Sequence, residues 1–365
     1  MRLPPLYTIL LRLKSHALDF DFTPDTHGFD VNDYKHLPLT LDLATSQRAV
    51  PSAGNSWWTS SYIRTLDDRS YFIVSHVGNP GVGFYRYSIL DINNPEYYQQ
   101  YAYTGTTADP VSAHIDGANV TLPTYGFEAI NPADTLAGMR TWSTSGFEFN
   151  LSFEFSSPVI LNGGSGTFTW GPYSTTEWSL VAGVTRGSFV VDNVQLTIDP
   201  ERSLTWYDRQ IVWIPADAGP AASHNWTWFQ LHFDHEDGHR GEKTRPSKIS
   251  AWIWDYADNP RVQFATTHSS SAGQQQVMPL TEFSPSNSRT WTSPGCGGTY
   301  PLEWDIALAD GMRLRIEVIR DEQEFCNPEQ PFQPTYEGFV SFHGIDGDGN
   351  EVGGFGLVEV CLENI

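Results

Sequence analysis

The stretch SLTWYDRQ at 203–210 places a carboxylic acid among aromatic residues in a strand-like segment. Side chains alternate between the two faces of a strand. One face then carries Leu204, Trp206, Asp208 and Gln210, and the other carries Tyr207, Arg209, Ile211 and Trp213. A carboxyl group partly desolvated beside aromatic rings has a raised pKa and can act as a general acid near neutral pH. Asp208 is therefore a candidate catalytic acid or base. Arg209 is a candidate orienting or charge-stabilising group, although it faces away from Asp208.

A second strand-like stretch, NWTWFQLHF at 225–233, alternates in the same way. One face combines large aromatic side chains with hydrogen-bonding groups: Trp226, Trp228, Gln230 and His232. The opposite face is mainly apolar: Thr227, Phe229, Leu231 and Phe233. Apolar walls with a few orienting polar groups are typical of small-molecule sites. We predict that the first face lines a ligand cavity and that the second belongs to a core.

Other carboxyl groups also stand beside aromatic residues: Glu177, Glu303, Glu324 and Glu337. Glu177 is the second candidate for the catalytic acid or base. Glu303 and Glu337, with the aromatic residues Trp178 and Tyr336, are candidates for the wall of the cavity. Each carboxyl group has an alternative structural interpretation, because a buried carboxylate often pairs with an arginine to fix a fold.

Motifs for metal-dependent or nucleophilic catalysis are not convincing. DGDGN at 346–350 resembles the start of a calcium loop, but Glu351 and Leu357 stand where that loop needs glycine and glutamate, so we predict a hairpin turn. HFDHEDGH at 232–239 lacks standard zinc spacing and is predicted to be an exposed loop. GxSxG and HExxH do not occur. We predict no metal ligands.

The cysteines are three in number, Cys296, Cys326 and Cys361, and no CxxC spacing occurs. That pattern argues against zinc binding through cysteine and against thioredoxin-type chemistry. Three cysteines can form at most one disulfide within the chain. We favour three separate buried thiols over a disulfide.

The elements that must position these groups are β-strands. In GFEFNLSFEFSS at 146–157, phenylalanine and leucine alternate with polar residues, which predicts a half-buried antiparallel strand. Further strands are predicted at 71–77, 82–90, 188–198, 203–213, 226–233, 249–255, 313–319, 337–343 and 353–362. Short helices are expected at 93–99 or 132–138.

The composition favours an all-β protein and excludes several kinds of partner. Aromatic residues make up 14% of the chain, and 31 glycines and 24 prolines provide turns. The net charge is −22, from 21 basic and 43 acidic residues, which argues against binding nucleic acid or an anionic membrane. No segment approaches the ~18 apolar residues of a membrane span. A hydrophobic small molecule remains the expected partner, bound by a monomer or a homodimer.

The chain of 365 residues divides at PADAGPAAS, 215–223, which is typical of a linker or a long surface loop. We predict two tandem β-sandwich or barrel domains, at 19–214 and 225–365, joined by a linker at 215–224. Residues 1–18 are either a signal peptide or an N-terminal extension. A secreted protein would offer glycosylation candidates at Asn119, Asn150 and Asn225; otherwise the location is cytoplasmic.

A series of motifs resembles the kievitone hydratase and hydroxyneurosporene synthase-like (carotenoid hydratase, AttH-like) superfamily, which also holds fungal lipocalin-like Diels–Alderases and related cyclases. The motifs, all between 145 and 365, are ILNGGSGTFTWG, TTEWSLVAG, LTIDPERSLTWYDRQ, NWTWFQLHF, YPLEW, DEQEF, TYEGFVSFHG and GFGLVEV. Where many relatives continue WYDRQWG, this chain has Gln210-Ile211-Val212, so the end of that strand is expected to differ.

The resemblance implies two lipocalin-like β domains, a mainly hydrophobic pocket at their interface and no organic cofactor. It implies an enzyme of the lyase or isomerase type that hydrates, dehydrates or cyclises a polyene, terpenoid, phenolic or polyketide substrate. A non-catalytic carrier of a hydrophobic metabolite is the alternative, since it needs the same pocket without a matched acid and base. A secreted glycoside-binding module is a third hypothesis, because exposed tryptophan can stack on sugars.

Overall fold

The structure is a computed structural model and describes these residues: 41–51, 53–79, 81–155, 157–170, 173–213, 224–234, 247–256, 260–269, 274–329 and 334–362. Leu41–Ile365 form one compact unit. The candidate signal peptide, nearly all of the predicted linker and most of the histidine-rich loop lie outside the described residues. The predicted domain limits therefore remain a prediction.

The first sheet contains fourteen strands in the described part of the chain. They are β1 (Gly54–Arg64), β2 (Ser70–Gly78), β3 (Phe84–Asp91), β4 (Tyr98–Thr104), β5 (Ile115–Asp116), β6 (Asn119–Thr121), β7 (Tyr125–Ala129), β8 (Gly138–Ser143), β9 (Phe149–Glu154), β10 (Val159–Leu161), β11 (Thr167–Trp170), β12 (Tyr173–Val191), β13 (Val194–Thr197) and β14 (Leu204–Trp213). The strand order is β4-β3-β2-β1-β14-β12-β9-β8-β7-β6-β5, and β10, β11 and β13 pair with β12.

The second sheet forms a barrel. Its strands are β15 (His224–Phe233), β16 (Lys248–Tyr256), β17 (Val262–Ser269), β18 (Gln274–Pro285), β21 (Glu303–Leu308), β22 (Arg313–Val318), β23 (Glu324–Phe325), β24 (Thr335–Ile345) and β25 (Glu351–Leu362). β22 pairs with both β21 and β24, which closes eight strands into a ring, and β23 adds to β24. The remaining two strands, β19 (Thr290–Thr292) and β20 (Thr299–Pro301), form a hairpin.

Helix is scarce among the described residues: α1 (Leu43–Ser46) and a single 3-10 turn at Val111–His114. The helices expected at 93–99 and 132–138 were wrong. Asp91 Oδ1 accepts the backbone N–H groups of Asn93 and Asn94, and Asn131 caps Ala133 in the same way. Such local side-chain bonds favour turns over helix. The described helices include none that is long and apolar enough to cross a membrane.

The strand pattern is largely as predicted, with one correction. β9 shows the expected alternation of buried and more exposed residues. The strand predicted at 188–198 is instead a hairpin of β12 and β13, because Asp192 and Asn193 both adopt positive φ. Two consecutive residues with positive φ form the tight turn that matches the twist of a β-hairpin. The predicted hairpin turn at 346–350 joins β24 to β25, and Asp346 Oδ1 accepts the backbone N–H groups of Asp348 and Asn350.

Three apolar cores hold the described residues together. One lies on a single face of the first sheet and includes Tyr207. A second fills the barrel with residues such as Phe229, Leu231 and Phe233, the face of β15 that the sequence assigns to a core. The third joins the two sheets and includes Trp58 and Trp206 from the first and Trp228 from the barrel. This third core continues into the cavity described below.

The prediction of separate thiols was wrong. Cys296 and Cys326 form a disulfide, which ties the β19–β20 hairpin to the segment that follows β23. Cys361 lies buried in β25. Cysteines separated by 30 residues come together only because the barrel closes, and their spacing in the chain contains no sign of that closure.

Candidate active site

A cavity of about 460 Å³ lies between the first sheet and the outer surface of the barrel. Its walls are mainly apolar and include four tryptophans, and three carboxyl groups border it: Glu177, Asp208 and Glu359. Trp226 and Trp228, which the sequence assigns to a cavity wall, are among the residues that line it. Apolar walls with a few convergent polar groups are the usual form of a small-molecule site.

The first sheet contributes a row of side chains that crosses five adjacent strands. Direct cross-strand pairing runs through Arg86, His76, Trp58, Asp208 and Ser179, on β3, β2, β1, β14 and β12. We call this row, together with Glu177 and Gln210, the sheet wall. Cross-strand neighbours share a face of the sheet. Residues spread over more than a hundred positions of sequence thereby meet at one surface.

The barrel contributes a matching row on its outer face. Pairing runs through Glu337, Glu359, Trp228 and Trp252, on β24, β25, β15 and β16. We call this row, together with Trp226, the barrel wall. The rings of Trp228 and Trp252 stack at 5.7 Å, and Trp58 of the sheet wall meets Trp228 edge-on at 5.2 Å.

Asp208 is the carboxyl group most clearly arranged for chemistry. Its Oδ1 accepts Ser179 Oγ and, at 3.0 Å, Trp206 Nε1. Its Oδ2 is buried and has no hydrogen-bond partner among the described residues. Burial raises the pKa of Asp208 to about 7, although the bonds from Ser179 and Trp206 lower it. Asp208 can therefore hold a proton near neutral pH with one oxygen unoccupied by protein.

Glu177 lies diagonally beside Asp208 on the sheet wall, because it pairs with Gln210 while Asp208 pairs with Ser179. Asn162 Nδ2 donates to its Oε1 at 2.8 Å, and Trp252 Nε1 donates to the same oxygen at 3.3 Å. Burial, followed by the charge of Asp208, raises the pKa of Glu177 well above its usual range. Two neighbouring buried carboxyl groups of this kind resist losing both protons.

A third group of charges lies where the two walls meet. Arg86 forms ion pairs with Glu337 and, at 3.7 Å, with Glu359 Oε2. Trp58 Nε1 donates to Glu337 Oε2 at 3.0 Å, and Trp226 Nε1 donates to Glu359 Oε1 at 2.6 Å. Burial raises the pKa of Glu337 to about 8, while Arg86 lowers it. The guanidinium of Arg86 is thus shared between two carboxyl groups of the barrel wall.

His76 connects this group to the rest of the sheet wall. Its Nδ1 accepts Arg86 Nε at 3.1 Å, and its Nε2 lies 2.9 Å from Ser56 Oγ. Burial, followed by the charge of Arg86, lowers the pKa of His76 well below its usual range. His76 is therefore a neutral ring that adds no positive charge to the cavity.

Arg209, predicted as an orienting group, does not reach the cavity. Its Nε donates to Ser46 O at 2.8 Å and its Nη2 donates to Arg48 O at 2.8 Å and Asn55 Oδ1 at 2.6 Å. The guanidinium also lies 4.4 Å from the centre of the Trp57 ring. Alternation along β14 turns Arg209 to the face opposite Asp208, where it fixes surrounding backbone.

Three predicted wall residues also lie elsewhere. Trp178 is on the opposite face of β12 from Glu177 and donates its Nε1 to Ser46 Oγ at 2.8 Å. Glu303 pairs with Arg315 at 2.6 Å near the surface of the barrel. Tyr336 belongs to the barrel interior and donates its hydroxyl to Arg320 O at 3.1 Å. For Trp178 and Tyr336, the period of the strand puts the neighbour of a wall residue on the other face.

Three further predicted residues lie in the core beside the cavity instead of on its surface. Trp206 donates to Asp208, as described above. Gln230 accepts Ser60 Oγ at 2.7 Å and its Nε2 lies 2.7 Å from His232 Nε2. The ring of His232 packs edge-on against Trp206 at 5.5 Å. Burial lowers the pKa of His232 well below its usual range, so it is neutral.

Sequence reasoning missed several wall residues: Trp58, His76, Arg86, Trp252 and Glu359. For two of them, Arg86 and Glu359, the sequence did hold a signal: a charged residue within an otherwise apolar strand. Arg86 stands in FYRYSIL and Glu359 in GLVEVCL, each flanked by buried residues. The same criterion selected Asp208 in β14.

Comparison with known proteins places the chain in a family. The sequence model described as AttH-like matches residues 82–361. The chain belongs to the AttH-like family. It is similar to kievitone hydratase of Fusarium solani subsp. phaseoli, with 34% identity over 96% of this chain and 93% of that protein. It is also similar to dehydratase asqC of Emericella nidulans, with 32% identity over 93% of this chain and 94% of the relative.

Solved structures of AttH-like proteins have the same fold. The crystal structure of kievitone hydratase from Nectria haematococca matches with a TM-score of 0.75 and 33% identity, covering 94% of this chain and 98% of that one. A putative AttH from Nitrosomonas europaea matches with a TM-score of 0.67 and 17% identity, over 89% and 98% of the two chains. The predicted all-β class is confirmed, in the form of a fourteen-stranded sheet and a closed eight-stranded barrel. Both named relatives in sequence are lyase-type enzymes, and at this level the prediction of an enzyme is confirmed.

Proposed function

We propose that the chain is a cofactor-independent hydratase or dehydratase that acts on a hydrophobic small molecule in the cavity between the two sheets. The names of the two sequence relatives, a hydratase and a dehydratase, support a reaction that adds or removes water. The observation that carries the proposal is Asp208: a buried acid with a pKa of about 7 and one oxygen without a protein partner. General acids are most effective when their pKa lies near the working pH.

In dehydration, Asp208 gives its proton to the leaving hydroxyl, which departs as water, and the neighbouring carbon releases a proton as its C–H electrons form the alkene. In hydration, the same proton adds to an alkene carbon, water attacks the neighbouring carbon, and the added water releases a proton. Glu177 favours the protonated form of Asp208, because a negative charge on Glu177 would raise the cost of ionising Asp208. Positive charge that develops on the substrate meets the faces of Trp58, Trp228 and Trp252, which attract cations.

We further propose that the substrate is a polyene, terpenoid, phenolic or polyketide molecule, and that dehydration can lead to ring closure, including a hetero-Diels–Alder step. Support comes from the aromatic walls, which would hold a conjugated product in one conformation. Orientation of that kind supplies much of the rate gain in reactions without a charged transition state. Arg209, Trp178, Glu303 and Tyr336 have no part in this mechanism.

The Asp208→Asn variant tests the proposed function. Wild type and variant are incubated with a panel of polyenols and prenylated phenols, kievitone among them, and mass spectrometry follows the gain or loss of one water. For the compound that wild type converts, the variant should lose about 10²–10⁴-fold in kcat, the usual contribution of a general acid. Glu303→Gln, a change at a partly exposed carboxylate of the barrel away from the cavity, is the control and should retain full activity.

A carrier would behave differently in the same experiment. Quenching of tryptophan fluorescence reports binding, because Trp58, Trp226, Trp228 and Trp252 border the cavity. Binding with an unchanged product profile would favour the carrier. Full activity of a folded Asp208→Asn protein would remove Asp208 from the mechanism.

A further inference from the structure

The two walls of the cavity present their carboxyl groups in different chemical surroundings. On the sheet wall, Asp208 has two donors on one oxygen; within the described part of the chain, no donor reaches the other oxygen and no basic side chain contacts the carboxyl group. On the barrel wall, Glu359 has an arginine within 3.7 Å and an indole N–H at 2.6 Å. Two carboxyl groups whose surroundings favour opposite protonation states are the usual sign of an acid and base pair.

Every hydrogen-bonding contact of Glu359 that the structure shows is with a donor. Arg86 lies by its Oε2 and Trp226 donates to its Oε1. The cross-strand neighbour Glu337 has a raised pKa, chiefly through burial and in part through a hydrogen bond with Glu359. Both contacts are of the kind that a carboxylate accepts: a guanidinium at 3.7 Å and an indole N–H at 2.6 Å.

We propose that Glu359 is a second catalytic residue: the general base that receives a proton on the barrel wall while Asp208 gives one from the sheet wall. This inference rests on the proposed function and adds the group that the proposed function lacks, because adding or removing water requires a proton to be accepted as well as given. Glu359 and Asp208 both border the cavity, so both can touch one substrate.

The proton and electron balance is complete in either direction. In dehydration, the Asp208 proton goes to the hydroxyl and the C–O bond breaks with release of water. The electrons of an adjacent C–H bond form the alkene, and Glu359 takes that proton. In hydration, the alkene electrons bond the Asp208 proton, water bonds the neighbouring carbon, and Glu359 takes a proton from the water. Solvent returns the proton from Glu359 to Asp208 after each turnover.

Glu359→Gln keeps the shape of the side chain and removes the base. For the compound that wild type converts, kcat should fall by about 10²-fold or more, with KM little changed. Wild type should lose activity at high pH, as Asp208 is ionised. Glu359→Gln should keep this decline at high pH, because Asp208 is unchanged in that variant. The titratable and charged groups that interact with Glu359 and also affect this profile are Arg86, Glu177, Asp208 and Glu337. His76 lies 3.9 Å from Glu337 and belongs to the same group of side chains.

The outcomes separate this inference from the proposed function. If Asp208→Asn is inactive while Glu359→Gln keeps the kcat of wild type, Glu359 is not the base and the proposed function still stands. If neither variant loses activity, the proposed function at this cavity fails as well. Glu303→Gln serves again as the matched control on the barrel.

A second measurement needs no substrate. Infrared difference spectra of the carboxyl stretching region, recorded below the pKa of Asp208, compare each variant with wild type. Glu359→Gln should remove a band of an ionised carboxylate, and Asp208→Asn should remove a band of a protonated carboxylic acid. Loss of a protonated band in Glu359→Gln would overturn the assignment of Glu359 as the resting base.

Discussion

At the scale of single residues, the two carboxyl oxygens of Asp208 differ in their hydrogen-bond contacts. Oδ1 accepts Ser179 and Trp206, which fixes the plane of the carboxyl group, and Oδ2 has no partner among the described residues. Burial raises the pKa of Asp208 and these two bonds moderate the rise. The pKa of about 7 is the balance of desolvation against hydrogen bonding.

Ser179→Ala tests that balance. Removing the hydroxyl donor takes away a contact that lowers the pKa of Asp208, so the pKa should rise above 7. The decline of kcat at high pH, which reports ionisation of Asp208, should move to higher pH. Measurement of kcat against pH checks the direction.

The matched control for this prediction is Ser75→Ala. Ser75 is equally buried but bonds to Tyr125 and Thr141 in the core of the first sheet. Its loss should leave the pH profile of kcat unchanged. A profile that moves to lower pH in Ser179→Ala would contradict the balance described above.

At the scale of elements, β14 separates chemistry from anchoring by alternation alone. Asp208 faces the cavity, and Arg209 faces α1 and the segment before β1, donating to the carbonyls of Ser46 and Arg48. Burial lowers the pKa of Arg209 to about 10, which leaves it charged at neutral pH. Arg209 therefore anchors β14 from the face opposite the cavity, and β14 is the strand that carries Asp208.

Arg209→Met should destabilise the fold much more than it affects the chemistry. Buried carbonyls that lose their donor each cost about 1–3 kcal/mol, so we expect the free energy of unfolding to fall by about 3 kcal/mol or more. Denaturation in urea measures this loss. At temperatures where the variant is folded, kcat should fall far less than in Asp208→Asn.

Arg140→Met provides the comparison for that experiment. Arg140 is a partly exposed arginine of β8 that bonds Asn150 and Glu128, and exposed pairs of this kind contribute about 0–1 kcal/mol. A stable Arg209→Met protein with greatly reduced kcat would instead assign Arg209 to the mechanism.

At the scale of the whole molecule, the buried acids make folding stability depend on pH. The pKa of Asp208 rises from 3.8 to about 7 on folding, so the folded protein keeps a proton that the unfolded chain has released in that range. The contribution of this group is complete below 3.8 and is lost as the pH rises to about 7.

Asp208→Asn should remove this dependence. Between pH 3.8 and about 7, the free energy of unfolding of the variant should increase relative to that of wild type, and the difference should be constant at higher pH. Urea denaturation at a series of pH values measures the difference. Thr59→Val, a buried change that removes no titratable group, should give a difference that does not vary with pH. A difference that decreased with rising pH would mean that folding lowers the pKa of Asp208.

The sequence by itself determined the local properties of this chain. Alternation identified the strands β9, β14 and β15. It assigned Asp208, Trp226 and Trp228 to a cavity surface. It assigned Phe229 and Leu231 to a core. This succeeded because a strand has a period of two residues whatever surrounds it. The same rule already set Arg209 apart from Asp208.

Only the tertiary structure decided which faces meet. Asp208 and Glu359 stand about 150 positions apart in the chain and border one cavity because the barrel closes and packs its outer surface on the first sheet. Trp178, Glu303 and Tyr336 were assigned to the wall from their immediate neighbours in sequence, which cannot reveal the face that each side chain occupies. Long-range pairing also brought Cys296 to Cys326 and Arg86 to Glu337. Local periodicity fixes how a strand divides its side chains, but packing between sheets decides which side becomes the site.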